Sequence, residues 1–208
     1  MNRFNERVLV AVPARDGMVT ARLAVGMAST VGLWEGWQFL EKQSAVPIAR
    51  NDAVEAMLEK GFERLVFVDA DIEFDRPRFE RLINHDLDIV GALYRKRCHS
   101  VMWCYREMQN GVGATDKPAD GGLFKVRSIG TGFLSIRRRV FEKLAERAGV
   151  RGWLAAGKPR REWFSMGVWG TEYLTEDYMF CEVARDAGFD VWLDSGLLVK
   201  HYGMEWYG

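Results

Sequence analysis

The sequence predicts one α/β domain built on a mostly parallel central sheet flanked by helices. Three observations carry that prediction. Short continuous apolar runs, VLVAV at 8–12, RLVFV at 64–68 and DIVGALY at 88–94, have the length and composition of strands buried on both faces. Between the first two lie stretches with apolar residues at helical spacing, and such alternation implies βαβ crossovers. The 208 residues suit a single domain, and a chain of that length buries enough surface to hold a core without disulfides.

The elements follow in order. The first strand, 8–12, closes at Pro13, and a polar ARDG loop leads into a helix from about 19 to 31 with Val19, Leu23 and Met27 on one face. A weakly patterned strand over 37–42 precedes a helix that Pro47 opens and Gly61 stops. The strand 64–68 runs straight into DADIEF, a helix covers 77–85 and a third buried strand 88–94. Two aromatic-rich pieces around a turn-rich loop, NGVGATDKPADGG, fill 101–127. An extended piece at 133–136 and a short helix over 139–148 come next. The segment 149–174 reads as irregular, spaced by glycines and rich in Trp and Arg. It is either a lid that closes over a ligand or a flap packed on the core by Trp153 and Trp163. Thr175 is placed to cap a helix over 176–187, and a last strand at 190–193 leads to Val199, Lys200 and His201.

Composition narrows the function. Lys plus Arg and Asp plus Glu both number 29, so the chain lacks the basic excess of a protein that lives on nucleic acid. The three cysteines show no CxxC spacing, which points to free thiols in a reducing compartment. The opening MNRFNERVLVAVPA is too quickly interrupted for a signal peptide, and no apolar run approaches the roughly 18 residues of a membrane span. The expected location is the cytoplasm. The absence of GxxxxGK[ST] argues against a P-loop enzyme, and the absence of GxGxxG after the first strand argues against a Rossmann dehydrogenase.

Ligands of parallel sheets bind outside the carboxyl ends of the strands, which directs attention to the loops after Val12, Val68 and Tyr94. The second loop carries VFVDADIEF. Side chains two apart on an extended chain point the same way, so Asp69 and Asp71 can converge on one cation. Two neighbouring carboxylates repel unless positive charge lies between them, and a hard divalent ion, Mn²⁺ or Mg²⁺, meets that need. A solvated acidic turn is the alternative.

Several segments in order resemble the GT-A glycosyltransferases, close to the family-2-type enzymes. They are VLVAVP, PIARNDAVEAML, VDADIEF as the D-x-D, DIVGALYRKR, SIGTGFLSIRRRVFEKL, and TEDYMFCEVARDAGFDVWLD as the late "ED" helix. The resemblance implies a GT-A-like fold over 1–208, with a nucleotide-sugar-binding half over about 1–100 and an acceptor-binding and catalytic half over about 101–208. It implies a transferase that moves a sugar from a nucleotide-diphosphate donor, most simply a UDP-sugar, to an acceptor hydroxyl. Asp177 corresponds to the base of inverting members, and its neighbour Glu176 to an acceptor contact. Asp69, Asp71 and His201 correspond to the metal site. Pro13, Arg15, Asp16, Arg50, Asp69, Ala70 and Lys96 fall on the donor side; Arg15 and Asp16 depart from the family's usual loop, which leaves the base open. Gly130, Thr131 and Gly132 fall where the acceptor pocket is shaped, and Trp169 adds an aromatic from the long segment. His85 and His99 gain no such support.

Other classes remain. A transferase acting on a modified base of DNA would use the basic and aromatic residues of 149–170 to hold a strand. A nucleotidyltransferase would need a glycine-rich loop longer than ARDG. A non-catalytic module that binds nucleotide sugars would have no use for Asp177.

Overall fold

The three apolar runs lie in one sheet in a computed structural model, which describes residues 3–42, 45–98, 102–108, 118, 121–147, 151–155 and 157–202. The first half alternates as the pattern requires: β1 (Val8–Pro13), α1 (Ala21–Ser29), β2 (Gly36–Leu40), α2 (Val46–Lys60) and β3 (Arg64–Val68). β1 pairs in parallel with both β2 and β3. Thr20 caps α1 by accepting a hydrogen bond from the Leu23 amide, a stop-start signal of the expected chemistry. Pro47 sits in the first turn of α2, and Gly61, at φ 73°, ends it in the left-handed conformation that glycine adopts without a Cβ clash.

The chain continues through β4 (Ile72–Glu73), α3 (Arg76–Ile83), β5 (Ile89–Leu93), β6 (Tyr105–Arg106), β7 (Leu123–Val126), β8 (Ser128–Ile129), β9 (Phe133–Arg137) and α4 (Arg138–Ala145). Next come β10 (Gly152–Ala155), β11 (Lys158–Arg161), β12 (Gly167–Trp169), β13 (Glu172–Leu174), α5 (Glu176–Asp186), β14 (Val191–Leu198) and β15 (Lys200–His201). Seven strands form the central sheet in the order β2-β1-β3-β9-β5-β14-β7. Five run one way; β9 and β7 run against them. The carboxyl ends of β1, β3 and β5 therefore share one edge. Because β9 is reversed, its beginning lies at that same edge, with Phe133 beside Val68. β15 pairs with β4 and sets His201 opposite Ile72.

The segment 149–174 differs from the irregular piece its composition suggests. Among its described residues it forms two hairpins, β10 with β11 and β12 with β13. The join between them is anchored: Trp163 and Phe164 are buried, and the Asn51 amide exchanges two hydrogen bonds with the Phe164 backbone. Trp163 also donates to Glu55 at 2.9 Å. The packing is that of a flap held on α2. Gly149 and His99 lie outside the described residues, as does most of the turn-rich loop at 110–120. No helix among the described residues is long and apolar enough to cross a membrane.

Two buried ion clusters hold the layers together, and neither is visible in hydropathy. Arg64, fully buried at the start of β3, donates to Glu6, to Ser135 Oγ and to the His85 carbonyl. Asp194, fully buried in β14, takes a two-pronged contact from Arg81 of α3 at 2.6 and 2.8 Å and a third from His85 at 2.7 Å. Burial alone would raise the Asp194 pKa, but His85, Arg81 and the Gly196 amide outweigh it and bring the carboxyl down to about 2. A depressed carboxylate contributes stability that is complete above its unfolded pKa, about 3.9, and is lost as pH falls through the folded value. Asp194→Asn should therefore cost roughly 3 kcal/mol at neutral pH, as expected when one partner of a buried pair is removed. Urea melts should show it, and the part of the wild-type acid loss between about pH 4 and 2 that comes from this group should be missing in the variant.

Candidate active site

At the shared edge the strand ends open into a cleft of about 1150 Å³. Its walls are built by the turns that follow β1, β3 and β5, the loop before β9, the hairpin β12–β13 and the start of α5. Pro13 ends β1, and Arg15 and Asp16 follow on an exposed turn that Gly17, at φ 68°, allows to close. The Thr20 amide donates to the Ala70 carbonyl at 3.0 Å, tying this turn to the one carrying the two aspartates.

Asp69, Ala70 and Asp71 occupy a turn, closed by the Ile72 amide on the Asp69 carbonyl at 3.0 Å, and not an extended strand end. The two carboxylates consequently find separate cationic partners. Asp69 accepts from Arg50 at 3.1 Å. Asp71 meets His201 at 3.3 Å through one oxygen and Arg97 at 2.8 Å through the other. His201 is oriented from behind by a 3.1 Å contact of its Nδ1 with the Arg95 carbonyl. Burial would raise the pKa of Asp71, but the hydrogen bond from His201 and the charges of His201 and Arg97 hold it below the usual range. Burial would lower that of His201, and Asp71 holds it above the usual range instead. Among the described residues no group of three or more His, Cys, Asp or Glu side chains is gathered closely enough to hold a metal. Asp71 and His201 are brought together; Asp69 stands apart with Arg50.

Arg50 projects from α2 and is buried, with its guanidinium over the Phe67 ring. It reaches both Asp69 and, at 3.5 Å, Glu176 of α5. Burial alone would lower its pKa, yet Asp69, Glu176 and Asp177 more than offset this and keep it charged. Glu176 moves the other way: burial pushes its pKa up despite Arg50. Asp177 lines the cleft, and its Oδ1 accepts from the Tyr178 amide and the Thr175 hydroxyl. Thr175 stands at the cap position of α5 but spends its side chain on Asp177 and not on the helix amides.

Gly130 and Thr131 line the cleft, whereas Gly132 and Trp169 are not among its lining residues. The glycines serve a neighbour that sequence reasoning did not single out. A Cβ at Gly130 would collide with the Tyr94 hydroxyl, and one at Gly132 would stand 2.7 Å from it. That hydroxyl accepts from the Gly132 amide at 2.9 Å, while the Asp69 amide donates to the Gly132 carbonyl. Lys96 lines the cleft with its ammonium 4.9 Å from the Tyr178 ring centre, and Arg106 covers the same ring at 5.6 Å. Tyr94, at the carboxyl end of β5, could have been found by the strand-end rule. Arg106, Glu172 and Tyr173 carry no local signal and enter the wall through tertiary contacts alone.

No protein-family model matches the chain, and no curated protein matches it. Solved structures do. A197 from STIV superposes with a TM-score of 0.63 at 20% identity, over 95% of this chain and 86% of that one. GalNAc-T7 with UDP, GalNAc and Mn²⁺ superposes with a TM-score of 0.54 at 12% identity, over 96% of this chain. The chain spans only 44% of the GalNAc-T7 chain. At these identities the likeness is one of fold: a single α/β domain with a mostly parallel sheet, of the GT-A-like kind.

Proposed function

We propose that the protein is a metal-dependent glycosyltransferase that moves a sugar from a UDP-sugar to an acceptor hydroxyl with inversion at the anomeric carbon. The observation that carries this reading is the sharing of one cleft by Asp177, by Arg50 with Asp69, and by the Asp71–His201 pair. It sits in a fold like that of GalNAc-T7, which was solved with UDP, GalNAc and Mn²⁺.

The residues fit a cation of the Mn²⁺ or Mg²⁺ kind. A carboxylate oxygen and an imidazole nitrogen already lie 3.3 Å apart, and a carboxylate oxygen is a donor suited to Mn²⁺ or Mg²⁺. Asp71 and His201 would hold the ion, and it would neutralise charge on the departing diphosphate. Arg97, now paired with Asp71, and Lys96 add positive charge on the same wall. Pro13, Arg15, Asp16 and Ala70 form the donor side, where Asp16 can accept from a uracil imide and Arg15 can lie on the base.

In the transfer, the acceptor oxygen attacks the anomeric carbon while the bond from that carbon to the diphosphate oxygen breaks and its electron pair leaves with UDP. The acceptor's proton passes to Asp177. Both protein hydrogen bonds to this carboxylate fall on Oδ1, so Oδ2 is the atom proposed to take it. Arg50 fixes Glu176 next to the base, on the acceptor side together with the Gly130–Gly132 turn.

Two outcomes are expected. UDP should bind at least about tenfold more tightly with Mn²⁺ than with EDTA, and Asp71→Ala should remove the difference without unfolding the protein; titration calorimetry checks this, and equal affinity with and without metal defeats the reading. Asp177→Asn keeps the shape and removes the basicity. Transfer or hydrolysis of UDP-sugar should then slow by roughly 10²–10⁴-fold with UDP affinity nearly unchanged. Near-normal turnover would place the base elsewhere.

A further inference from the structure

The two aspartates of the turn after β3 are each paired with an arginine, and the two pairs are not alike. Arg50, its side chain 4% exposed, holds Asp69 at 3.1 Å from inside the protein. Arg97, its side chain 56% exposed, holds Asp71 at 2.8 Å on the cleft wall. Burial decides how readily each pair opens. Breaking the first leaves a guanidinium out of water with only its longer contact to Glu176, at 3.5 Å, which is strongly destabilising. Breaking the second returns a guanidinium to water, and an exposed pair of that kind favours the closed form by at most about fivefold.

The backbone that carries Arg97 is fixed while its side chain is not. Arg95 pairs with Trp103 across an antiparallel bridge, and the Lys96 amide donates to the Met102 carbonyl at 2.8 Å. Opening the Arg97–Asp71 pair therefore needs side-chain rotation alone. The other oxygen of Asp71 faces His201 at 3.3 Å. A divalent ion held by that oxygen and the imidazole brings two positive charges to a carboxylate that Arg97 already neutralises, and like charges so close repel. The exposed pair gives way; the buried one does not. We infer that Arg97 is the displaceable counter-cation of Asp71: it neutralises the carboxylate until a divalent ion takes its place, and its released guanidinium then meets the diphosphate.

This rests on the metal-dependent reading above and deepens it by giving the ion a competitor within the chain. Asp69 keeps Arg50 throughout, so the exchange is confined to Asp71. One exposed side chain thus opposes the cation and, once displaced, favours the anion that follows it on the wall that Lys96 shares.

Such an exchange gives one substitution opposite effects on two ligands. Binding of Mn²⁺ alone, followed by electron paramagnetic resonance, should be about three- to fivefold tighter in Arg97→Gln than in the wild type. Calorimetric titration of UDP into the Mn²⁺-saturated proteins should be about fivefold weaker in the same variant, because the released guanidinium is missing. Arg95→Gln removes an equal charge two residues away, from an exposed side chain that does not line the cleft. Its Mn²⁺ affinity should stay within about twofold of the wild type. Equal Mn²⁺ affinity in Arg97→Gln and the wild type would show that the pair persists beside the ion, and would overturn the inference. So would tightening that Arg95→Gln reproduces in full, unchanged UDP affinity, or an Arg97→Gln variant that loses affinity for both ligands. Asp71→Ala tells this failure from that of the metal-dependent reading. If the wild type binds Mn²⁺ no better than Asp71→Ala, that reading fails and the inference falls with it; where Asp71→Ala loses the ion, the Arg97 comparison decides alone.

Discussion

A guanidinium cannot be buried alone, and Arg50 is the buried cation around which the cleft is arranged. Its two carboxylate partners come from opposite halves of the chain, Asp69 from the turn after β3 and Glu176 from the first turn of α5. Removing such a charge from water is costly, and only paired geometry offsets it. The contact therefore does more than fill space. It couples the turn after β3 to the helix that carries Asp177, so two sides of the cleft are joined by one ionic bridge. The same bridge keeps Asp69 occupied in the free protein and leaves Asp71 with His201.

The sheet supplies the second constraint. A purely parallel sheet would bring only strand ends to the cleft. The reversed β9, wedged between β3 and β5, brings a strand beginning there as well, and with it the Gly130–Gly132 turn. Tyr94 then locks that turn: its hydroxyl fills the space that side chains at 130 and 132 would need. Backbone from three separate segments thus meets within hydrogen-bonding distance, which a site made of long flexible side chains could not hold to the same tolerance.

Much of this was legible in the amino-acid order because burial leaves a strong local mark. The runs at 8–12, 64–68 and 88–94 became β1, β3 and β5, and Gly61 ended α2 where a left-handed residue was needed. Asp71 and His201, 130 positions apart by residue number, meet at 3.3 Å, whereas Asp69, which the family resemblance groups with them, pairs with Arg50. What could not be read was anything decided by partners distant in sequence. Strand direction has no local signature, so β9 gave no hint of running backwards. The hairpins at 152–174 hid behind charged and aromatic residues that look like loop, although Trp163 and Phe164 are core. Arg64 reads as the polar start of a strand and is buried completely. The extended-chain rule failed at Asp69–Asp71 because the backbone turns there. Which carboxylate faces which cation was settled by that turn.

The pairing of β15 with β4 has a practical side. β1 runs toward the cleft, so the residues before Val8 lie at the far edge of the sheet, where the Arg7 amide bonds Glu63. Lys200 and His201 run along the rim instead, and the Tyr202 amide donates to the Asp71 carbonyl at 2.9 Å. The two ends of the described chain are thus unequal neighbours of the chemistry. A substitution at Arg7 acts at the back of the molecule, on its contacts with Glu63 and the Lys60 and Gly61 carbonyls. A substitution at Tyr202 acts one residue from His201, on backbone that the Asp71 carbonyl holds.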